Sequence, residues 1–294
     1  MLRCEVHGLF VVCVLPYWSG PVETYDRISV TVGLVLLALI LFLLVDLPAR
    51  TFAFLPLGSP LVVRLSGQWL RAMLAAGLAI AGTHSVVSAH PSAKGHQQRI
   101  GFTAWILPGV TGFIAPFLLS LAPSLPYWLG GLGLTAALIA SVILLEYYIA
   151  DPDAAHHFVA NLALNLLTYG VALAAFVLIY HSRARSLVTA TATAVLGGLM
   201  ALSLLHGIGQ LQRRTALYAG LVGLVMGQST WALNYWRVHA LPGGALLLLF
   251  FYVIVGLTLQ HLQGSLTRRV LVEFLAVAAI GLWLLLRLGL SLGS

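Results

Sequence analysis

Residues 155–181 read AHHFVANLALNLLTYGVALAAFVLIYH, twenty-seven consecutive positions without one Asp, Glu, Lys or Arg. A helix needs about 20 residues rising about 1.5 Å each to cross about 30 Å of hydrocarbon, so this stretch alone is long enough to span a bilayer. Working outward, similar apolar blocks lie at about 28–46, 67–88, 101–122 and 127–150 before it. Four more lie at about 186–206, 215–236, 241–262 and 270–291 after it. Their borders carry Pro, Gly or charge, among them Asp46 and Pro48, Pro123 and Pro126, Arg183 and Arg185, and Arg268 and Arg269. The fold class is an all-α, polytopic transmembrane helical bundle of about nine spans.

Composition agrees with that reading. Of the 294 residues, 60% belong to the set AVILMFWYC and 8% are charged, against about 45–50% apolar and about 25% charged in soluble domains. A DNA-binding domain, a soluble dinucleotide enzyme and a disordered chain are thereby excluded. Nucleic acid is not expected as a partner, although the net charge is +7. Membrane lipids, and other membrane subunits, are the partners this surface suits. The expected location is integral to a membrane, the plasma membrane of a bacterium.

Two stretches depart from the helical pattern. Residues 51–65, TFAFLPLGSPLVVRL, hold two β-prone runs around a Gly-Ser-Pro turn and read as a short interfacial β-hairpin. Residues 1–27 read as an N-terminal extension at the interface, with 28–294 as a single transmembrane domain. A cleaved leader is the alternative for the apolar run Leu9–Leu15, against which stands the lack of an A-x-A-like site. Both cysteines, Cys4 and Cys13, fall in this extension and show no metal-ligand spacing.

With nine crossings, the N-terminus and the loops after spans 2, 4, 6 and 8 share one face, side A; the C-terminus and the other loops share side B. Lys and Arg divide eight to seven, so the positive-inside rule gives no orientation. Acids and histidines divide unequally: seven of eight acids and eight of ten histidines fall on side A. His84, His90, Glu146, Asp151, His157 and His261 therefore gather near one face from different helices. Such residues at span ends also serve simply to meet headgroups.

The fifth span adds a stripe. His157, Asn161, Asn165, Thr168 and Ala172 recur at +4, +8, +11 and +15, and buried amides need a partner, whether another helix, water or a ligand. We expect His157, Asn161 and Asn165 to line a cavity open to side A, with Glu146, His84 and His261 at its mouth; helix–helix hydrogen bonding is the competing explanation. On the seventh span Gly220, Gly223, Gly227, Thr230 and Asn234 form a face of small and polar residues suited to close helix packing. Gln228, Trp231 and Asn234 at its side B end are candidates for a polar, aromatic-lined pocket. The third span carries Pro108 and Pro116, a pattern that kinks or interrupts a helix.

Known intramembrane chemistries fit poorly. The loops after spans 2 and 6 lack the acids that magnesium–diphosphate prenyl transfer requires, and no Asp lies within a span interior for an aspartyl protease. No H-E-x-x-H occurs, the double glutamate of CAAX-type proteases is missing, and Lys94, the sole lysine, lies in a loop, away from any retinal site. Neither a metal site nor a resident cofactor is expected. Haem is the cofactor the side A histidines best suit, since neutral imidazoles from two facing helices can ligate it axially.

The runs SVVSAHP (85–91), LEYYIADPD (145–153), ALNLLTYG (163–170), GQSTWALNYW (227–236) and QHLQGSLTRRVLVEF (260–274) resemble an uncharacterised bacterial multipass membrane protein family, a domain of unknown function. The resemblance covers most of the chain after residue 28 and implies no catalytic residue. The leading expectation is a membrane protein without an identifiable catalytic motif, leaning away from an enzyme. It would bind or transport a small or lipidic ligand, or serve as accessory subunit of a membrane complex. A haem- or quinone-linked electron-transfer component is one alternative. An intramembrane enzyme using Glu146 and the side A histidines is another.

Overall fold

The computed structural model describes residues 3–7, 10–14, 21–44, 50–54, 61–65, 67–89, 102–149, 157–182, 184–205, 212–236 and 238–291. The helices are α1 (Pro21–Leu44), α2 (Gly67–Ser88), α3 (Thr103–Leu119), α4 (Leu125–Ile149), α5 (His157–His181), α6 (Ser186–Leu205), α7 (Gln212–Asn234), α8 (Ala240–Leu262) and α9 (Arg268–Ser291). Among the described residues, α2 and α4 to α8 are the six helices long and apolar enough to cross a membrane; α3, with 17 residues, is a shorter apolar one. The architecture is that of a helical membrane bundle.

The expected spans and the helices coincide closely, with one shift. The first helix begins at Pro21, inside the stretch read as an N-terminal extension. Proline suits the first helical position because its missing N–H has no intrahelical acceptor there. Two short antiparallel ribbons precede and follow α1. In the first, β1 (Arg3–His7) pairs with β2 (Phe10–Val14), Cys4 standing opposite Cys13. In the second, β3 (Arg50–Phe54) pairs with β4 (Leu61–Leu65), from Arg50 opposite Leu65 to Phe54 opposite Leu61.

Close approaches fix how the helices run. A Cβ on Gly112 would lie 2.8 Å from the carbonyl oxygen of Ala75, and one on Gly109 would lie 2.9 Å from Ile80, so α3 runs antiparallel to α2. Gly223 faces Ala194 and Gly227 faces Ala190, which makes α7 antiparallel to α6. Gly256 meets Phe274 and Gly281 meets Leu249, so α9 returns along α8. The same ends meet repeatedly. Tyr25 at the start of α1 lies beside Tyr148 at the end of α4. His84 near the end of α2 lies edge-on to Trp105 at the start of α3, and Tyr218 near the start of α7 lies edge-on to His261 at the end of α8. These pairs belong to the end termed side A. At the opposite end the Tyr180 hydroxyl donates to the carbonyl oxygens of Leu233 (3.2 Å) and Trp236 (3.0 Å).

The centre is α3. Most of its residues are buried, including both prolines, because α2, α4, α5 and α6 surround it. A helix apolar all round is stable only when enclosed in this way or in lipid. Two apolar clusters meet on it. Ile106, Leu107, Val110 and Ile114 pack with α5 to α8 around Phe176 and Phe251, while Ala115 and Leu119 pack with α1, α2 and α4 around Ile139 and Ile143.

Candidate ligand site

At side A, α3, α4 and α5 each bring one polar group into the bundle. Helix α4 supplies Glu146 in its last turns, only 9% exposed. Among the described residues its carboxyl makes no ion pair and no hydrogen bond. Helix α5 begins at His157, whose Nδ1 is buried without a partner among the described residues, and the first turn of α3 carries Trp105, whose Nε1 is likewise buried without one among them. The local sequence accounts for the placement. Glu146 follows Ile139, Val142 and Ile143 at spacings of 7, 4 and 3, which sets it on the inward face of α4 rather than on its lipid face. Each unpartnered buried donor or acceptor costs about 1–3 kcal/mol, and ionisable groups inside a bundle typically mark ion or substrate pathways.

Deeper along the same three helices lies a cleft of about 120 Å³ lined by Thr111, Ile114, Thr135, Leu166, Gly170 and Val171, among others. Thr111 donates to the Leu107 carbonyl (2.7 Å) and Thr135 to the Gly131 carbonyl (2.8 Å), so both hydroxyl protons are engaged by their own helices. Leu118 and Leu166 are exposed at its rim, and the cleft therefore opens sideways as well.

The candidate residues distribute unevenly around this region. His84 is exposed and stacks edge-on against Trp105 with ring centroids 5.2 Å apart, so it stands beside the α3 corner of the site. Asn161 is exposed and Asn165 half-buried; the α5 stripe becomes buried only from Thr168 inward. His261 is exposed and lines a different groove, between α7 and α8. His90 and Asp151 lie outside the described residues. At side B, Gln228 and Trp231 are exposed, while the Asn234 amide donates to Thr189 Oγ1 at 2.8 Å and so ties α7 to α6. Among the described residues no three His, Cys, Asp or Glu side chains are grouped to hold a metal ion.

Trp105 was not among the residues expected at the site. A tryptophan at a span end reads as an interfacial anchor, and only its contact with His84 and its buried nitrogen reveal it as part of the polar cluster. Arg214 and Tyr218, which line the α7–α8 groove, were also not expected. Their signal is present in the spacing: Arg214, Leu217, Tyr218, Leu221 and Leu224 form one helical face.

No curated protein and no solved structure matches the chain. A family model described as "Protein of unknown function (DUF5656)" matches residues 47–288, a segment that includes α2 to α8 and most of α9. With that segment comprising most of its length, the chain belongs to this family of unknown function.

Proposed function

We propose that the protein is a nine-span membrane protein that binds a small ligand, and passes it inward, between α3, α4 and α5 from side A. The observation that carries this reading is Glu146, an ionisable carboxyl buried on α4, whose neighbours α3 and α5 each carry a buried, unpartnered ring nitrogen at the same end of the bundle, on Trp105 and His157. A polar ligand entering between these helices can supply hydrogen-bond partners to the carboxyl and to the two ring nitrogens. Beyond them, the cleft between the same helices provides room for an apolar part.

The nine crossings are supported by the antiparallel registers of α2 with α3, α6 with α7 and α8 with α9, and by the length of α1 and α9, 24 residues each, or about 36 Å. The ribbon formed by β3 and β4 then lies at side B, where α1 ends and α2 begins. Its unpaired edges call for water or protein contact at the interface. The membrane we assign is the bacterial plasma membrane. An accessory role in a larger membrane complex would use the same polar site as a relay.

The test is mass spectrometry of small molecules that co-purify with the wild type, Glu146→Gln and Gln228→Ala proteins. A species present in the wild type and in Gln228→Ala, and depleted at least tenfold in Glu146→Gln, is expected. Identical profiles in all three, or a wild type that carries nothing, contradict the reading.

A further inference from the structure

A second concavity at side A is separate from the Glu146 site. Between the start of α7 and the end of α8 an open groove of about 850 Å³ is lined by Arg214, Leu217, Tyr218, Leu221, Leu224 and His261, among others. Its size falls within the about 300–1,000 Å³ range typical of ligand pockets. Its origin lies in how α7 packs. Gly223 and Gly227 press one face of the helix against α6, with Cβ positions 2.5 Å and 3.0 Å from the carbonyl oxygens of Ala194 and Ala190. The face carrying Leu217, Leu221 and Leu224 is left turned outward, and all three are exposed. A Cβ on Gly220, which also lines the groove, meets nothing within 4 Å, so its wall is open there.

The groove is polar at one end only. Arg214 stands in the first turn of α7, and Tyr218 and His261 lie with ring centroids 5.8 Å apart one turn deeper. His261 is held there by the end of α8. Gly264 takes a left-handed φ of 68°, its N–H donates to the His261 carbonyl (3.1 Å), and the Ser265 N–H donates to that of Gln260 (3.0 Å). Those two bonds form the Schellman closure of a helix C-terminus. No carboxylate is among the described residues that line the groove. From Arg214 to Leu224 the helix rises about 15 Å, half of the about 30 Å hydrocarbon thickness, which is the depth of one leaflet.

We propose that this groove binds one phosphate-bearing membrane lipid, with the phosphate on Arg214 and an acyl chain along Leu217, Leu221 and Leu224. The guanidinium offers a planar fork of donors that matches phosphate oxygens, and Tyr218 and His261 add donors of their own one turn below. A soluble phosphate would engage the arginine and leave the apolar wall uncovered. A neutral diacylglycerol would cover the wall and leave the arginine unpaired. Only a lipid with both parts complements the whole groove.

The experiment is native mass spectrometry of the full chain, delipidated in mild detergent and then exposed in turn to phosphatidylglycerol, dioleoylglycerol and glycerol phosphate. The wild type is expected to retain one phosphatidylglycerol and neither of the other two. Arg214→Gln, a change at an exposed position, is expected to lower retention at least tenfold. Gly220→Leu, which fills the groove, is expected to do the same, and Arg268→Gln on α9 to retain lipid as the wild type does. The proposal is overturned if the wild type retains no phosphatidylglycerol, if Arg214→Gln retains it undiminished, or if Arg268→Gln loses it equally. It is likewise overturned if dioleoylglycerol or glycerol phosphate binds as well. Should Gly220→Leu fail to fold, Arg214→Gln alone decides the matter.

Discussion

A Cβ carried by Gly223 would stand 2.5 Å from the carbonyl oxygen of Ala194, so α7 and α6 meet backbone to backbone at this point. Without a hydrophobic driving force between helices in lipid, such contact supplies much of the packing energy. Gly223→Leu is therefore expected to destabilise the bundle by about 1–3 kcal/mol, the cost of overpacking a close contact. Gly220→Ala, one turn away in open space, is expected to change little. Thermal melts of both variants in detergent check the difference, and equal melting would count against the packing described.

A second expectation concerns the side B end. The Tyr180 hydroxyl bonds the carbonyl oxygens of Leu233 and Trp236, and the Asn234 amide bonds Thr189, so three helix ends are tied together there. Tyr180→Phe and Asn234→Ala should each cost about 0.6–1.7 kcal/mol, the range for interhelical polar contacts in membranes. Gln228→Ala, at an exposed position, should leave the melting temperature unchanged. A loss for Gln228→Ala as large as that for Asn234→Ala would contradict the exposed placement of Gln228.

The end of α8 depends on backbone conformation. Gly264 sits at φ 68°, where a side chain clashes with the following carbonyl at a cost of roughly 1–2 kcal/mol. Gly264→Ala should thus speed amide hydrogen exchange at Ser265, whose N–H closes the helix on Gln260. Unchanged exchange there would mean that the turn is held by something other than glycine.

Topology gives a further expectation. Nine crossings place the termini on opposite faces, since an odd number cannot return the chain. Reporter fusions at residue 20 and after Ser294 should report different compartments. The same compartment for both would remove the grouping of residues by side.

Much of the fold is legible in the sequence because apolar runs and their Pro, Gly and charged borders are local features. Residues 67–88 illustrate this: the expected span and α2 share both ends. The start of α1 is harder to read, since Glu23, Asp26 and Arg27 look like an extension when they in fact fill the first turns of a helix. The ribbon of β1 and β2 is hidden in a run that also resembles a leader. Its signal is the pair of β-prone segments Arg3–His7 and Phe10–Val14, rich in Val and bearing Phe, close together in the sequence. The site is less legible than the fold for a different reason. His157, Asn161, Asn165 and Thr168 share one side of α5 by their spacing, yet Asn161 is exposed and Thr168 buried. What covers a stripe changes along the helix with the neighbours present at each depth, and a single helix carries no record of them. The same holds for Trp105, whose part in the polar cluster depends on His84 from another helix.

Glu146 lies within the bundle, and the proposed ligand must reach it from side A. The most direct test is Glu146→Cys in a chain whose Cys4 and Cys13 are replaced by serine, treated in sealed vesicles with a membrane-impermeant thiol reagent. Labelling is expected from the compartment that holds a reporter fused at residue 20, and none from the other. A folded Glu146→Cys protein that resists the reagent from both compartments would contradict this, because position 146 would then be sealed from side A.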